Sequence, residues 1–285
     1  MVWARPDLRP LKRRALAAAK RSALLRAAFP AWLQPSFDAF VVSYPKCGRT
    51  WLRVMFGKAL CDGYGLPATS LMRPIELTRA AGLRVTQFTH DDGVFFRPRW
   101  YRPDPEKRRY AGKHVLLLTR ELPATLVSSY HHVSKRDRLF DGTLAQFVRS
   151  PRFGAAQLIR FYEQWHAARA RPASFTVVRY EDMLREPRLG LDAALRLVGS
   201  RDLGDDVVAA ALAYGSLENM RKLEAADALG DKRMRPRDRQ DPDSYKVRQG
   251  GAGRREGLSP DDLAYVAELV AASGCPLLLP PSPGP

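Results

Sequence analysis

The chain has 285 residues, 45% of them hydrophobic and 9% aromatic, which is enough apolar material for a sizeable core without a disulfide scaffold. Its charge is one-sided, 47 Lys and Arg against 30 Asp and Glu, and a formal +17 suits an anionic partner or reflects an Arg-rich composition alone. Three cysteines (Cys47, Cys61, Cys275) point to reduced thiols in a cytoplasmic compartment, and no apolar run approaches the roughly 20 residues that cross a bilayer.

Residues 1–30 form a basic segment in which Arg and Ala interrupt any signal-like apolar core. Leu11, Ala15, Ala18, Leu24 and Leu25 can share one helical face opposite the bases. Two readings stand: peripheral contact with an anionic membrane, or a solvated helix packed on the domain. From 31 to 275 one domain is expected. Ala39–Tyr44 reads as a buried strand bounded by Pro45, and Thr50–Leu60 as a helix after a glycine turn. Val85–His90 alternates like a strand. His114–Thr119 is a continuous apolar strand, followed by a helix over Leu122–Tyr130 opened by Pro123. Leu158–Ala170 looks helical and Phe175–Tyr180 reads as another buried strand. Leu191–Val198, Asp206–Ala213 and Asp261–Ala272 are helical, the last capped by Ser259 with Pro260 in its first turn. Met220–Gly257 is charged and without clear periodicity, and 276–285 is a Pro-rich tail. Apolar strands alternating with helices imply an α/β domain with a central, mainly parallel β-sheet flanked by helices.

The segment Tyr44-Pro-Lys-Cys-Gly-Arg-Thr-Trp51 joins the first strand to the first helix. Unpaired N–H groups at a helix start make an anion site, helped by the helix dipole. Gly48 permits close backbone approach, Lys46 and Arg49 supply cations, and Thr50 supplies a hydroxyl. A Walker phosphate loop needs Gly-x-x-x-x-Gly-Lys-Ser/Thr, which is absent here. The bland alternative is a tight turn with solvated bases.

YPKCGRTW is similar to the YPKSGTTW signature of sulfotransferases that use 3′-phosphoadenosine-5′-phosphosulfate (PAPS) and release 3′-phosphoadenosine-5′-phosphate (PAP). The match spans eight contiguous residues, with Cys47 and Arg49 in place of serine and threonine. The resemblance implies a single domain of the sulfotransferase fold, related to the P-loop NTPases. It implies that Lys46 meets the bridging oxygen of the phosphosulfate, and that Thr50 with the amides of Cys47, Gly48 and Arg49 holds the 5′-phosphate. Trp51 would then stack on adenine. Arg120, at the end of the His114 strand, and Ser128 eight residues later resemble the family's 3′-phosphate motif. Arg248, Gly250 and Gly253 resemble the loop that closes over the same phosphate, with Gln249, Arg255 and Glu256 in place of its lysine, tryptophan and lysine. Tyr180 and Ser216 stand where the family contacts adenine. The likeness covers roughly residues 38 to 270.

Sulfuryl transfer needs charge neutralised on the departing phosphate oxygen and a proton taken from the acceptor. The resemblance gives those catalytic roles to Lys46 and His90; Asp91, next in the chain, is an alternative base, an orienter of His90 or a group that meets a positively charged acceptor. Phe88 stands where many relatives carry a second lysine. No metal is implied, since adjacent His131 and His132 do not share one helical face. Cys47, at a helix N-terminus between Lys46 and Arg49, is expected either to have a lowered pKa or simply to fill the place of serine. The acceptor is a small molecule, a carbohydrate or a glycolipid carrying a hydroxyl or amine, met by loops in 62–84, 91–112 and 133–155. Phe95, Phe96, Trp100 and Tyr101 either line that site or anchor its loop. A nucleotide-dependent kinase on a related fold and a basic nucleic-acid binder are the alternatives. The first lacks the Walker Lys-Ser pair, and the second lacks a specific nucleic-acid motif.

Overall fold

In strand β1 (Ala39–Ser43) every residue is buried, as an unbroken apolar run in the middle of a parallel sheet requires. A computed structural model describes residues 36–91, Phe95, 104–200, 203–231 and 256–278. Within it β1 lies between β2 (Thr86–Thr89) and β3 (His114–Thr119), with β4 (Ser174–Arg179) beyond β3. All three pairings are parallel, so the α/β domain with a parallel sheet expected from the strand–helix alternation is what forms.

Helices make the crossovers. After β1 come α1 (Arg49–Gly63) and α2 (Pro74–Ala80), and after β3 come α3 (Leu122–His131), α4 (Leu144–Arg149) and α5 (Ala155–Ala167). After β4 follow α6 (Tyr180–Arg185), α7 (Pro187–Val198), α8 (Asp205–Tyr214) and α9 (Leu217–Ala225), with α10 (Pro260–Ser273) closing the described fold. Pro123 sits in the first turn of α3, where its missing N–H costs nothing. Ser259 caps α10: its hydroxyl accepts from the Asp262 N–H at 3.1 Å, while the Asp262 carboxylate accepts from the Ser259 N–H at 3.1 Å.

The core lies on β1 and β3, filled by Trp165, Tyr162, Tyr110, Tyr44 and Phe56 among its largest fully buried side chains. Burying each such ring contributes about 1.5–3 kcal/mol, so this cluster outweighs any surface ion pair in the fold. Chain order sets where a ligand can bind. From β1 the chain moves to β2 on one side, then crosses over to β3 on the other. The crevice between the carboxyl ends of β1 and β3 is therefore a topological switch point, the usual ligand position in an open parallel sheet.

Several expectations need correction. β4 is not a buried strand: it is an edge strand among the described residues, and Val177 is 38% exposed. Its apolar run could not reveal that only β3 lies beside it. Tyr180 opens α6 rather than ending β4, and the Leu158 helix begins earlier, at Ala155. Helix α9 occupies the start of the stretch expected to lack an element. Pro276–Leu278 form one 3-10 turn in which Leu277 and Leu278 pack against the core. The basic segment 1–30 and residues 279–285 lie outside the described residues. Among the described residues no helix is long and apolar enough to cross a membrane.

Candidate functional site

Strand register builds the site. Val42 pairs with Thr89, Ser43 with Leu118, and Thr119 with Arg179. The residues that follow, Tyr44–Gly48, His90, Arg120 and Tyr180, therefore emerge along one line at the carboxyl edge of the sheet. Local chemistry then shapes the loop. Lys46 has φ 74° and Gly48 φ 81°, both left-handed, and Gly48 is the N-cap of α1 with no side-chain cap. There is no acidic residue in the first turn of that helix, so no carboxylate of the helix itself offsets its N–H groups and dipole. Alternating left-handed residues before a helix make the concave amide arrangement that takes phosphate oxygens.

Gly48 is required for a second reason. A Cβ there would stand 2.6 Å from Cδ2 of Tyr180, so the bare backbone is what lets the ring lie against the loop. Gly48→Ala is expected to destabilise the fold by at least the roughly 1–2 kcal/mol of left-handed strain, and to push Tyr180 off the loop. Urea unfolding measures the first effect, and the change in tyrosine environment the second. An Ala variant as stable as wild type removes this account of the loop.

Arg120 draws the pieces together. Its guanidinium donates to the Lys46 carbonyl at 2.8 Å and lies 4.3 Å over the Tyr180 ring. Its Nε is buried with no hydrogen-bond partner among the described residues, a geometry that suits an incoming anion. Trp51 donates its indole N–H to the Gly215 carbonyl at 2.6 Å and meets Tyr180 edge-on at 6.1 Å. Ser216 follows directly as the N-cap of α9, accepting from the Asn219 N–H at 3.3 Å. Trp51, Tyr180 and the turn at Gly215–Ser216 thus lie together beside the loop that precedes α1. Thr50 is half-buried, and Arg49 is 9% exposed, so its guanidinium sits within the protein rather than fanned into solvent. Ser128 is half-buried on α3. Arg248, Gln249 and Gly250 lie outside the described residues.

The lowered thiol pKa expected of Cys47 is overturned. The side chain is fully buried, its Sγ 3.5 Å from the Tyr162 hydroxyl, and burial pushes the thiol up to about 11 despite Tyr162 and Arg120. Desolvation wins because the helix-start field acts on a group with no water to support its charge. At pH 8 roughly a thousandth of the thiol is ionised by that pKa. Iodoacetamide should therefore modify native Cys47 only after unfolding, as peptide mapping would report; rapid native labelling would reverse this reading. The backbone of Cys47 lies in the turn before α1, while its side chain belongs to the core.

His90 sits beside the loop. Its Nδ1 lies 3.0 Å from the Ser43 carbonyl and 3.4 Å from the Ser43 hydroxyl. A carbonyl only accepts, so Nδ1 carries the proton and Nε2 holds the lone pair in the neutral ring. Asp91 is not placed as a rival base. It is 1% exposed, ion-paired with buried Lys107, and accepts from the Tyr110 hydroxyl at 2.9 Å. Phe95, one of the residues with two possible roles, is a core anchor: it packs edge-on to Tyr44 at 5.8 Å and to Phe153 at 6.4 Å. Phe96, Trp100 and Tyr101 lie outside the described residues. Phe88, in the place of the family's second lysine, packs against Phe56 and receives the buried Arg53 guanidinium at 5.7 Å.

Sequence reasoning missed Tyr162, Glu181 and Lys107. Tyr162 accepts from the Arg120 N–H at 3.2 Å, and Glu181 accepts from the Glu121 N–H at 3.0 Å, so both steady the turn that presents Arg120. Lys107 belongs to the run Pro105-Glu-Lys-Arg-Arg109, inside the 91–112 stretch expected as an acceptor loop. No local signal marks any of the three.

No family model and no curated protein matches the chain by sequence. Solved structures do. The mouse sulfotransferase SULT7A1 complexed with PAP superposes with a TM-score of 0.54 at 19% identity, over 84% of each chain. Retinol dehydratase, in complex with androsterone and the inactive cofactor PAP, superposes with a TM-score of 0.52 at 14% identity, over 91% of this chain and 87% of that one. The chain shares the fold of these two proteins.

Proposed function

We propose that this protein is a PAPS-dependent sulfotransferase, moving the sulfuryl group to an acceptor hydroxyl or amine and releasing PAP. The observation that carries the reading is the line of Lys46, Gly48, Arg120, Tyr180 and His90 at the carboxyl edge of the sheet. The residues present fit the donor: an uncapped helix start, a glycine turn with no side chain in the way, and a half-buried Arg120 whose Nε has no hydrogen-bond partner among the described residues. PAP in both structural neighbours supports the same donor.

PAPS supplies an activated sulfuryl group joined to phosphate through a bridging oxygen. In this reading the amides of Cys47–Thr50 and the Thr50 hydroxyl hold the 5′-phosphate, and Lys46 neutralises charge at the bridging oxygen. Arg120, with Ser128 and the segment of Arg248, Gln249 and Gly250, holds the 3′-phosphate. Trp51, Tyr180 and Ser216 hold the adenosine. His90 Nε2 takes the acceptor proton while Ser43 keeps Nδ1 protonated. Androsterone in one neighbour supports a small-molecule acceptor, with carbohydrate and glycolipid classes as further arms of an acceptor screen. Three free cysteines fit a reducing, cytoplasmic site of action, and loss of vesicle binding on removal of residues 1–30 would assign the peripheral membrane contact to them.

Calorimetry tests the donor. PAP is expected to bind, and removal of its 3′-phosphate is expected to weaken binding by at least tenfold, since a charge-assisted pair is worth about 1.5–3 kcal/mol. ATP binding without PAP binding would favour the kinase reading instead.

A further inference from the structure

We propose that the buried Asp91–Lys107 ion pair, together with Tyr110, is a positioning device that keeps His90 in the tautomer a proton acceptor needs. The inference rests on the sulfuryl-transfer reading for its purpose, though not for its test.

Asp91 follows His90 directly and is left-handed, with φ 50°. A non-glycine residue holds that conformation only where its surroundings over-determine it. Here they do. Its N–H donates to the Thr89 hydroxyl at 3.1 Å, one carboxylate oxygen accepts from Tyr110 at 2.9 Å, and the other takes the Lys107 ammonium. Lys107 is 2% exposed and itself left-handed, with φ 52°. Its ammonium stands 5.4 Å over the Trp165 ring and 3.5 Å from the Gln164 side-chain oxygen. The end of β2 is thereby tied to α5 and to the turn at Arg108–Tyr110.

Stability alone does not explain this arrangement. Two charges lose their hydration when buried, and an apolar pair of similar volume usually serves a core as well or better. What a charged, hydrogen-bonded pair adds is fixed direction. The peptide joining Asp91 to His90 is held from the carboxylate side, and the imidazole is held at 3.0 Å by the Ser43 carbonyl on the neighbouring strand. A histidine released from these constraints prefers its proton on Nε2, which moves the lone pair to Nδ1.

The test uses the full chain without ligand. The double variant Asp91→Asn/Lys107→Met removes both charges together, so neither is left alone in the core. Long-range ¹H–¹⁵N spectra of the histidine rings, recorded above the imidazole titration range, report each tautomer, and His90→Gln assigns the His90 signals among the five histidines. Wild type is expected to show the Nδ1–H form at His90, and the folded double variant a large share of Nε2–H. If the double variant does not fold, Tyr110→Phe is expected to show the same change to a smaller extent. A folded variant that keeps the wild-type His90 signature overturns the proposal. Failure of the wild type to bind PAP strikes the sulfuryl-transfer reading instead and leaves this comparison intact.

Discussion

Lys46→Met is expected to lower the rate of sulfuryl transfer by about 10²–10³-fold, with a far smaller loss in affinity for PAP. Methionine keeps the length and much of the apolar stem of lysine, so the left-handed loop, which also relies on Gly48 and Arg120, should persist. What disappears is a cation placed where charge grows on the departing oxygen. Such a group contributes mainly in the transition state, so the effect should fall on kcat rather than on ground-state binding. Arginine should not restore the rate, because a planar fork does not reproduce a point charge on a flexible stem. Labelled-sulfate transfer from PAPS and PAP calorimetry give the two quantities. Equal losses in both would recast Lys46 as a simple phosphate ligand.

His90→Gln carries the second large effect. Turnover is expected to fall about 10²–10⁴-fold, the usual contribution of a positioned base, while PAP binds as in wild type. Glutamine can still donate to the Ser43 carbonyl, so the sheet edge stays intact, but it has no basic nitrogen to offer the acceptor. The comparison therefore isolates proton acceptance from local structure. A glutamine variant with wild-type turnover would remove His90 from the chemistry, and buried Asp91 is in no position to replace it. An acceptor that ionises without help would show a smaller drop, which makes the size of the loss informative about acceptor acidity.

The strands were legible because unbroken apolar runs such as Val115–Leu118 have few other uses. Their boundaries and exposure were less so: Phe175–Tyr180 has the same composition as a central strand, yet β4 has a strand on one side only. The choice between the two readings of Cys47 has a similar origin. Its sequence neighbours are two cations and a helix start, which lower a thiol pKa, while its neighbour in space is Tyr162, 115 residues away. Desolvation is a property of that packing and has no local signature.

By itself the sequence determined the strand–turn–helix at Tyr44–Trp51. Everything the loop needs is contiguous: a strand to end, a glycine for a left-handed turn, a lysine beside it and a helix to begin. Tertiary structure decided what surrounds it. Arg120 reaches the Lys46 carbonyl across 74 residues, Trp51 reaches Gly215 across 164, and Asp91 finds Lys107 across 16. Strand register and side-chain burial arise from contacts among distant segments, and those contacts exist only once the sheet has formed.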